Sequence, residues 1–264
     1  MPFATNGKQK IFYEDTGGEL PVVVFSHGIL MDHAMFVPQV EAFRDRYRCI
    51  SWDGRGHGRT ATDALAPFTY YDASDDLVQV LHNAGVGRAV LAGMSQGGYL
   101  SLRCALRHSP VVRALILIDS QALPEDSRRV QRYQQMVGDW TAHGLSDQTA
   151  TNIANTILGP GWTDAEIWKK KWKAMLPVNV AGAFETLCSR DDVSAALRQI
   201  AVPALVVHGE ADKAIEFQNA EAMRAMLPNA GAMVSVPGAG HAPNLTHPDI
   251  LNAAIRGFLE NLPG

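Results

Sequence analysis

The stretch that decides the fold is residues 89–98, which read AVLAGMSQGG. Four apolar residues lead into a G-x-S-x-G motif, and a helical pattern follows it. A strand, a tight turn and a helix are the context in which this motif presents a serine at the end of a sheet. Glycines two positions either side of Ser95 leave room for so sharp a turn. We therefore expect Ser95 to be a nucleophile on a nucleophile elbow.

Short apolar runs alternate with helical patterns on both sides of this stretch. Six of these runs predict strands, at residues 22–26, 49–53, 89–93, 114–119, 204–208 and 232–236. Such apolar runs are typical of strands buried on both faces of a parallel sheet. Strands that alternate with helices indicate βαβ units. The predicted fold class is therefore α/β, with a mostly parallel eight-stranded sheet and helices on both faces.

The first two strands are predicted as an N-terminal hairpin over residues 3–16. Asn6-Gly7 is a strong two-residue turn signal, and Ile11 and Tyr13 alternate with polar neighbours. The hairpin precedes the parallel part of the sheet.

Two helices carry clear boundary signals. Residues 72–83 have acidic residues in the first turn and an apolar stripe, and Gly85 is a stop signal. Residues 250–259 place apolar side chains on one helical face, and Thr246 is the predicted cap.

The alternation stops between residues 121 and 199, where no strand is convincing. The interval is rich in charged and aromatic residues and holds four of the five tryptophans: Trp140, Trp162, Trp168 and Trp172. We predict that residues 121–199 form a helical lid between the sixth and seventh strands. The core would then consist of residues 1–120 and 200–264. The lid would cover the carboxyl ends of the strands, where open α/β sheets bind ligands.

A serine nucleophile needs a base and an orienting acid. His241 lies in PGAGHAP, residues 237–243, directly after the last predicted strand. Asp212 follows the seventh strand, and the order Ser, Asp, His is that of a catalytic triad of this type. Asp119, at the end of the sixth strand, stays open as the alternative acid, and Glu210 is a weaker third candidate. Four other loop histidines are expected to fix turns: His27, His57, His208 and His247.

The negative charge that forms during acyl transfer needs fixed N–H donors. One donor would be the backbone N–H of Gln96, directly after the nucleophile. The second would come from the loop after residues 22–26, where Ile29 is the first choice and Leu30 the next. These two N–H groups would form the oxyanion hole.

The aromatic and methionine residues of the predicted lid indicate an apolar pocket. Its candidate substrate contacts are Leu30, Tyr133, Met136, Trp140 and Trp172, with Trp168 and Met175 beside them. Packing of the lid onto the core is the alternative role for each of them.

Composition excludes several classes of partner. The net charge is −4 and no basic stripe is present, which argues against nucleic acid as a partner. No apolar run suits a signal peptide or a membrane span, so we expect a cytoplasmic protein without a membrane partner. The three cysteines, Cys49, Cys104 and Cys188, form no metal-ligand pattern. The sequence leaves open whether the chain forms a homodimer.

These motifs together resemble the α/β-hydrolase superfamily over nearly the whole chain. The matching stretches are His27-Gly28, residues 52–59 (WDGRGHGR), 93–98, 206–212 and 238–241. The chain looks most like the branch of cofactor-free carboxylesterases, enol-lactone hydrolases, lactonases and non-haem perhydrolases. This resemblance implies an acyl-enzyme mechanism without cofactor or metal, and an oxyanion N–H from the residue after His27-Gly28. A serine nucleophile speaks against haloalkane dehalogenases and epoxide hydrolases, which use aspartate.

The predicted function is hydrolysis of a small carboxylic ester or lactone. Two alternatives remain: a C–C hydrolase of aromatic ring-fission products, and a small-molecule receptor of the same fold. The C–C hydrolase would need polar groups in the lid for a second carboxylate, which Arg128, Arg129 and Arg132 offer. Perhydrolysis would use the same site. Gln96 is expected to turn a polar group toward the substrate.

Overall fold

A computed structural model describes residues 3–263 of the chain. Eight strands of this part form one sheet, in the order β1-β2-β4-β3-β5-β6-β7-β8. Their bounds are β1 Phe3–Asn6, β2 Gln9–Asp15, β3 Val22–Ser26, β4 Arg48–Trp52, β5 Ala89–Met94, β6 Val112–Ile118, β7 Ala204–Gly209 and β8 Val234–Val236. β2 pairs antiparallel with β1 and β4, and all other pairs are parallel. The predicted fold class is confirmed.

Ten α-helices of the described residues connect or follow these strands. They are α1 Val37–Phe43, α2 Tyr70–Asn83, α3 Gln96–Arg107, α4 Ser127–His143, α5 Asp147–Ile157, α6 Ala165–Lys173, α7 Pro177–Cys188, α8 Phe217–Met226, α9 Pro243–Thr246 and α10 Pro248–Glu260. Successive side chains of a strand point to opposite faces of the sheet. Val23 and Phe25 pack on the side of α1 and α10, whereas Val24 packs on the side of α2, α3 and α8.

The local signals at two helix starts had different outcomes. α2 begins two residues before the predicted start, because Thr69 and Asp72 form a reciprocal capping box. Thr246 is not the cap of α10, and that prediction is wrong. It ends the short helix α9, and its hydroxyl donates to the Ala242 carbonyl.

The N-terminal hairpin also differs from its prediction by one residue. Asn6 pairs with Gln9, so the two-residue loop is Gly7-Lys8 and not Asn6-Gly7. Gly7 has a φ of 58°, a conformation that glycine adopts without steric cost. The pairing of β1 with β2 therefore follows the position of the glycine.

Four helices, α4 to α7, lie between β6 and β7, and no strand is found among residues 121–199. Trp140, Trp168 and Trp172 of these helices belong to the same apolar core as Phe25 and Ile255. The insertion is therefore packed onto the sheet domain through its aromatic residues. The division into a core and a lid at residues 121 and 199 stays a prediction. No helix among residues 3–263 is both long and apolar enough to cross a membrane.

Candidate active site

Ser95 occupies the turn between β5 and α3 with φ 54° and ψ −118°. This conformation is unfavourable for a residue with a side chain, and it persists only where neighbours enforce it. Three of them do so here. The Ser95 N–H donates to the Ile118 carbonyl at 2.8 Å, and its carbonyl accepts from the Ser120 hydroxyl at 2.8 Å and from the Gly98 N–H at 3.0 Å. The first turn of α3 and the end of β6 thus fix the elbow.

The glycines of the motif are required by close backbone approach. A Cβ atom at Gly93 would collide with the Gly97 carbonyl, and one at Gly97 would collide with the carbonyls of Ser26 and His27. The obstacles are backbone atoms, which do not move aside as a flexible side chain would. The turn is therefore tight enough to bring Gly97, two residues after Ser95, against the end of β3.

A hydrogen-bonded row joins Ser95, His241 and Asp212. The Ser95 Oγ lies 2.9 Å from the His241 Nε2, and the His241 Nδ1 lies 2.8 Å from the Asp212 Oδ2. A carboxylate only accepts hydrogen bonds, so the Nδ1–H donates to Asp212 and the Nε2 is free to accept from the serine. Ser95 and His241 are buried, and the Asp212 side chain is 1% exposed.

Asp212 is held in place and kept ionised by its surroundings. Its Oδ1 accepts from the backbone N–H of Ala214 at 2.7 Å and of Ile215 at 3.2 Å. Burial opposes ionisation, but the charge and hydrogen bond of His241 outweigh it and keep the pKa of Asp212 below its ordinary value. His208, 3.5 Å away, acts in the same direction.

The alternative acid, Asp119, has a different environment. Its Oδ1 accepts from the Gly209 N–H at 2.9 Å, and the carboxyl group is fully buried. Burial, reinforced by the nearby charge of Asp212, raises the pKa of Asp119 well above its ordinary value. Among the described residues, His241 pairs with Asp212 and not with Asp119. Glu210 is exposed and accepts from the Ser235 hydroxyl.

The backbone donors differ in whether they are free. In the described part of the chain, neither the Ile29 nor the Gln96 N–H donates to another backbone group. Leu30, the second choice, donates its N–H to the His57 Nε2 at 3.2 Å. Leu30 is therefore engaged, and Ile29 and Gln96 remain as the candidate oxyanion hole.

The Gln96 side chain does not face the substrate, and that expectation is wrong. Its Oε1 accepts from the Tyr70 hydroxyl at 3.0 Å. The side chain lines a small separate pocket beside His27 and Trp52. The turn of α3 directs it to the opposite side of the elbow from Ser95.

The neighbouring histidines fix loops. The His27 Nε2 accepts from the Gly54 N–H at 2.9 Å, and the His57 Nδ1 lies 2.9 Å from the Arg55 carbonyl. Burial lowers the pKa of both histidines, and that of His57 to about 3. Neutral imidazoles of this kind act as fixed donors and acceptors, and they hold the loop that carries Ile29.

A cavity of about 710 Å³ opens above Ser95 and His241. Ile29 and Leu30 line it from the core. The inserted helices contribute both polar and apolar residues, and the apolar ones are Tyr133, Met136, Trp140, Ile153, Ile157, Phe184 and Leu187. Four of the five predicted substrate contacts, Leu30, Tyr133, Met136 and Trp140, therefore face this space.

Trp172 does not line the cavity, and its prediction as a substrate contact is corrected. The side chain is fully buried, and its indole N–H donates to the Leu30 carbonyl at 2.7 Å. Trp168 and Met175 also lie outside the lining. These residues attach the inserted helices to the core, which was the alternative role for them.

Sequence reasoning missed several residues that line the cavity. The apolar side chains of α5 and α7 were not singled out, because their spacing is that of any helix packed on a core. Glu125 and Arg190 also line the cavity, but neither belongs to a sequence motif that would have singled it out.

Within residues 3–263, two clusters hold oxygen and nitrogen atoms close enough to one another for a metal ion. One is Asp119, His208 and Asp212, beside Ser95 and His241, and the other is Asp32, His33 and Asp53. In the second cluster, the Asp53 carboxylate accepts from the His33 ring at 2.8 Å and from the Arg59 N–H at 2.8 Å. Hydrogen bonds within the protein thus already use this carboxylate.

The chain is similar to known proteins in both sequence and structure. The model of the alpha/beta hydrolase family matches residues 23–254. A 2-(acetamidomethylene)succinate hydrolase from Mesorhizobium japonicum is 28% identical over 92% of this chain and 89% of its own length. A 3-oxoadipate enol-lactonase from Acinetobacter baylyi is 24% identical over 92% of this chain and 90% of its own length. A thermophilic esterase from Thermogutta terrifontis, solved with malate bound, has a TM-score of 0.88 at 26% identity, over 98% of this chain and 97% of that protein.

Proposed function

The chain belongs to the alpha/beta hydrolase family and is a hydrolase, and from this premise we propose that it cleaves a carboxylic ester or lactone through an acyl-enzyme intermediate. The observation that carries the proposal is the row from the Ser95 Oγ through His241 to Asp212, which ends in an apolar cavity. A nucleophile, a base and an orienting acid in hydrogen-bond contact are the requirements for serine acyl transfer.

In the proposed acylation step, His241 accepts the Ser95 proton at Nε2 as the Oγ attacks the substrate carbonyl. The carbonyl oxygen becomes negatively charged and accepts hydrogen bonds from the N–H groups of Ile29 and Gln96. Asp212 holds the imidazole in the required tautomer and stabilises its positive charge. His241 then gives the proton to the leaving alkoxide, and the carbon–oxygen bond of the ester breaks.

Deacylation uses the same groups in reverse. His241 takes a proton from water as the water oxygen attacks the acyl carbon of Ser95. The oxyanion hole again stabilises the tetrahedral intermediate. Collapse of this intermediate releases the acid and returns the proton to the Ser95 Oγ. No step requires a cofactor.

Ester or lactone substrates are supported by two observations. Aliphatic and aromatic residues form a large part of the cavity lining, which suits an apolar acyl or alcohol group. The relatives include an enol-lactonase and an esterase. The inserted helices supply most of the lining, and they would set the preferred chain length or ring size.

The test is hydrolysis of p-nitrophenyl esters of graded acyl length beside a lactone panel, with Ser95→Ala as the variant. We expect turnover on at least one substrate and a loss of about 10⁴-fold or more in Ser95→Ala. Ser101→Ala is the matched control, because this buried serine of α3 donates to the Gly97 carbonyl and lies outside the cavity. It should keep near wild-type turnover.

Wild-type turnover in Ser95→Ala would eliminate the proposal. Absence of any ester or lactone hydrolysis, with loss of a ring-fission product, would favour the C–C hydrolase. Tight binding of a small ligand without turnover would favour the receptor.

A further inference from the structure

One wall of the cavity is charged, although much of the lining is apolar. Glu125 reaches it from the segment after β6, Arg129 and Arg132 from α4, and Arg190 from the segment after α7. We call these four residues the arginine wall. Asp139, another acid in the lining, is seven residues beyond Arg132 on α4, which is about 10 Å along the helix. Among the described residues that line the cavity at the arginine wall, three guanidinium groups face one carboxylate, and Asp126, outside the lining, lies 3.7 Å from the Arg129 Nε.

Arg190 is the most deeply buried member of the wall. Its side chain is 1% exposed, and its Nη2 lies 2.8 Å from the Glu125 Oε1. The two groups form an ion pair, but their relative orientation is not that of a hydrogen bond. The Nε and Nη2 of Arg190 and the Oε2 of Glu125 have no hydrogen-bond partner in the part of the chain that the structure describes. Tyr99 covers one face of the guanidinium, with its ring centre 5.1 Å from the Cζ.

Unpartnered donors on a buried guanidinium are unfavourable. A guanidinium carries five N–H donors. Burying such a donor without a hydrogen-bond partner costs free energy, because its hydrogen bond to water is lost and not replaced. Buried polar groups in proteins are nearly always hydrogen-bonded, so an exception calls for a reason. A ligand in the adjacent cavity that accepts these hydrogen bonds would supply one.

The other two arginines differ in how firmly they are held. Arg129 donates from its Nη1 to the Ala214 carbonyl and lies 3.6 Å from the Glu125 Oε2. Ala214 belongs to the loop that holds Asp212, so Arg129 links the wall to the candidate triad. Arg132 is exposed. The wall therefore extends from a buried end at Arg190 to a solvent-exposed end at Arg132.

We propose that the arginine wall binds a carboxylate of the substrate, so that the ester or lactone carries an acid group at a distance from the reacting carbonyl. This inference rests on the proposed function and names its substrate class. A carboxylate matches the planar donors of arginine in a bidentate pair. Glu125 already offers one carboxylate to Arg190. In a cavity with apolar walls, such a pair is less screened than on the surface.

Glu125 then has a defined part in selectivity. Its negative charge holds the buried guanidinium in the absence of substrate and competes with a bound acid for it. Replacement of this residue by its neutral isostere glutamine, Glu125→Gln, should strengthen binding of an acid. The same change should leave binding of an uncharged analogue nearly constant.

Ligand binding tests the proposed carboxylate site independently of turnover. The probes are pentanoate and pentanamide, which differ only in the charge of the terminal group, titrated into the full chain and followed by NMR. We expect the wild-type protein to bind pentanoate at least about 10-fold more tightly. The double variant R190Q/E125Q should lose about 10- to 100-fold of this preference, the effect of hydrogen bonds to a charged group. It leaves no uncompensated buried charge, which protects folding.

Arg132 and Arg128 provide a matched pair on the same helix. Both are exposed arginines four residues apart, but only Arg132 lines the cavity. R132Q should lower the preference for pentanoate about threefold to fivefold, as expected for an exposed charge. R128Q should leave it unchanged. Equal affinity for the two probes, or a preference that survives R132Q and R190Q/E125Q, would overturn the inference.

Turnover decides the proposed function separately. The substrates are the p-nitrophenyl half-ester of glutaric acid and p-nitrophenyl pentanoate, which have the same acyl length. Hydrolysis of either, lost in Ser95→Ala, supports the function whatever the binding result. Selective binding of pentanoate without hydrolysis of any ester or lactone would retain the arginine wall and reject the function.

Discussion

Two groups of polar side chains lie along the same cavity, and they differ in how their polar atoms are partnered. In the row of Ser95, His241 and Asp212, each side chain meets the next at hydrogen-bond distance. In the arginine wall, Arg190 and Glu125 keep polar atoms that have no hydrogen-bond partner among residues 3–263. The first arrangement is complete in the absence of substrate, as preorganised catalysis requires. The second is incomplete, as is expected of a site that is satisfied only when a ligand binds.

The largest effect should come from replacing the triad acid, and a comparison of the two aspartates near His241 tests which of them it is. In Asp212→Asn the amide would favour the wrong imidazole tautomer, so kcat should fall by about 10³- to 10⁴-fold with little change in KM. Asp119→Asn is the matched control and should cost less than about 10-fold, because Asp119 does not contact His241. Steady-state kinetics on a p-nitrophenyl ester measures both. A larger loss in the Asp119 variant would reverse our assignment of the acid.

The next effect concerns the stability of the arginine wall. Arg190→Gln alone should lower the free energy of unfolding by about 3–5 kcal/mol, because it leaves Glu125 buried without its cation. Replacing both residues, as in R190M/E125L, should cost little or even stabilise the protein, since the desolvation of both charges is removed. Urea denaturation provides both values. If the double variant were as unstable as the single one, the ion pair would have a structural role and the contrast with the triad would weaken.

A smaller effect is expected in the pH dependence of stability. The pKa of Asp119 is raised in the folded protein, so the folded state retains a proton that the unfolded state releases above about pH 3.9. Asp119 therefore costs stability as pH rises from that value toward its folded pKa. Asp119→Asn, which resembles the protonated acid, should gain stability relative to wild type as the pH rises above about 4. A constant difference between the two proteins across this range would show that Asp119 does not titrate differently on folding.

The smallest effect concerns the stability of α4, the helix that carries Arg129 and Arg132. A change in this stability should leave the arginine wall itself unaffected. Gly138 lies in α4 with open space around its Cα and does not line the cavity. Gly138→Ala should stabilise the protein by about 0.5–1 kcal/mol and leave turnover constant. Thermal unfolding with a parallel ester assay measures both. A change in acid preference in this variant would mean that the wall responds to the mobility of α4.

The sequence was most informative for the central strands and for the elbow. The Val22–Ser26 strand has its predicted bounds, and the elbow follows from glycines that backbone contacts demand. Side chains in the inserted helices were harder to assign. Trp140 and Trp172 look alike in sequence, but one lines the cavity and the other donates to the Leu30 carbonyl. Only the three-dimensional packing distinguishes them.

The roles of the charged residues were also hard to assign from the sequence. The sequence left Asp119 and Asp212 open as the triad acid, because both follow strands that end at the same edge of the sheet. The turn after β7 decides where Asp212 points, and periodicity does not encode that direction. Arg190 carried no signal, since an isolated arginine in a loop is normally solvated.

The contacts that fix the elbow bear on what would happen if the inserted helices were exchanged for others. Ser120 and Ile118, which hold Ser95, precede the insertion, and the Asp119 N–H donates to the Val207 carbonyl on the adjacent strand. The strands on either side of the inserted segment, β6 and β7, are thus joined directly to each other by a contact that does not involve the inserted helices. A cassette of different helices grafted between these two strands would remodel the specificity of the enzyme while leaving its nucleophile intact.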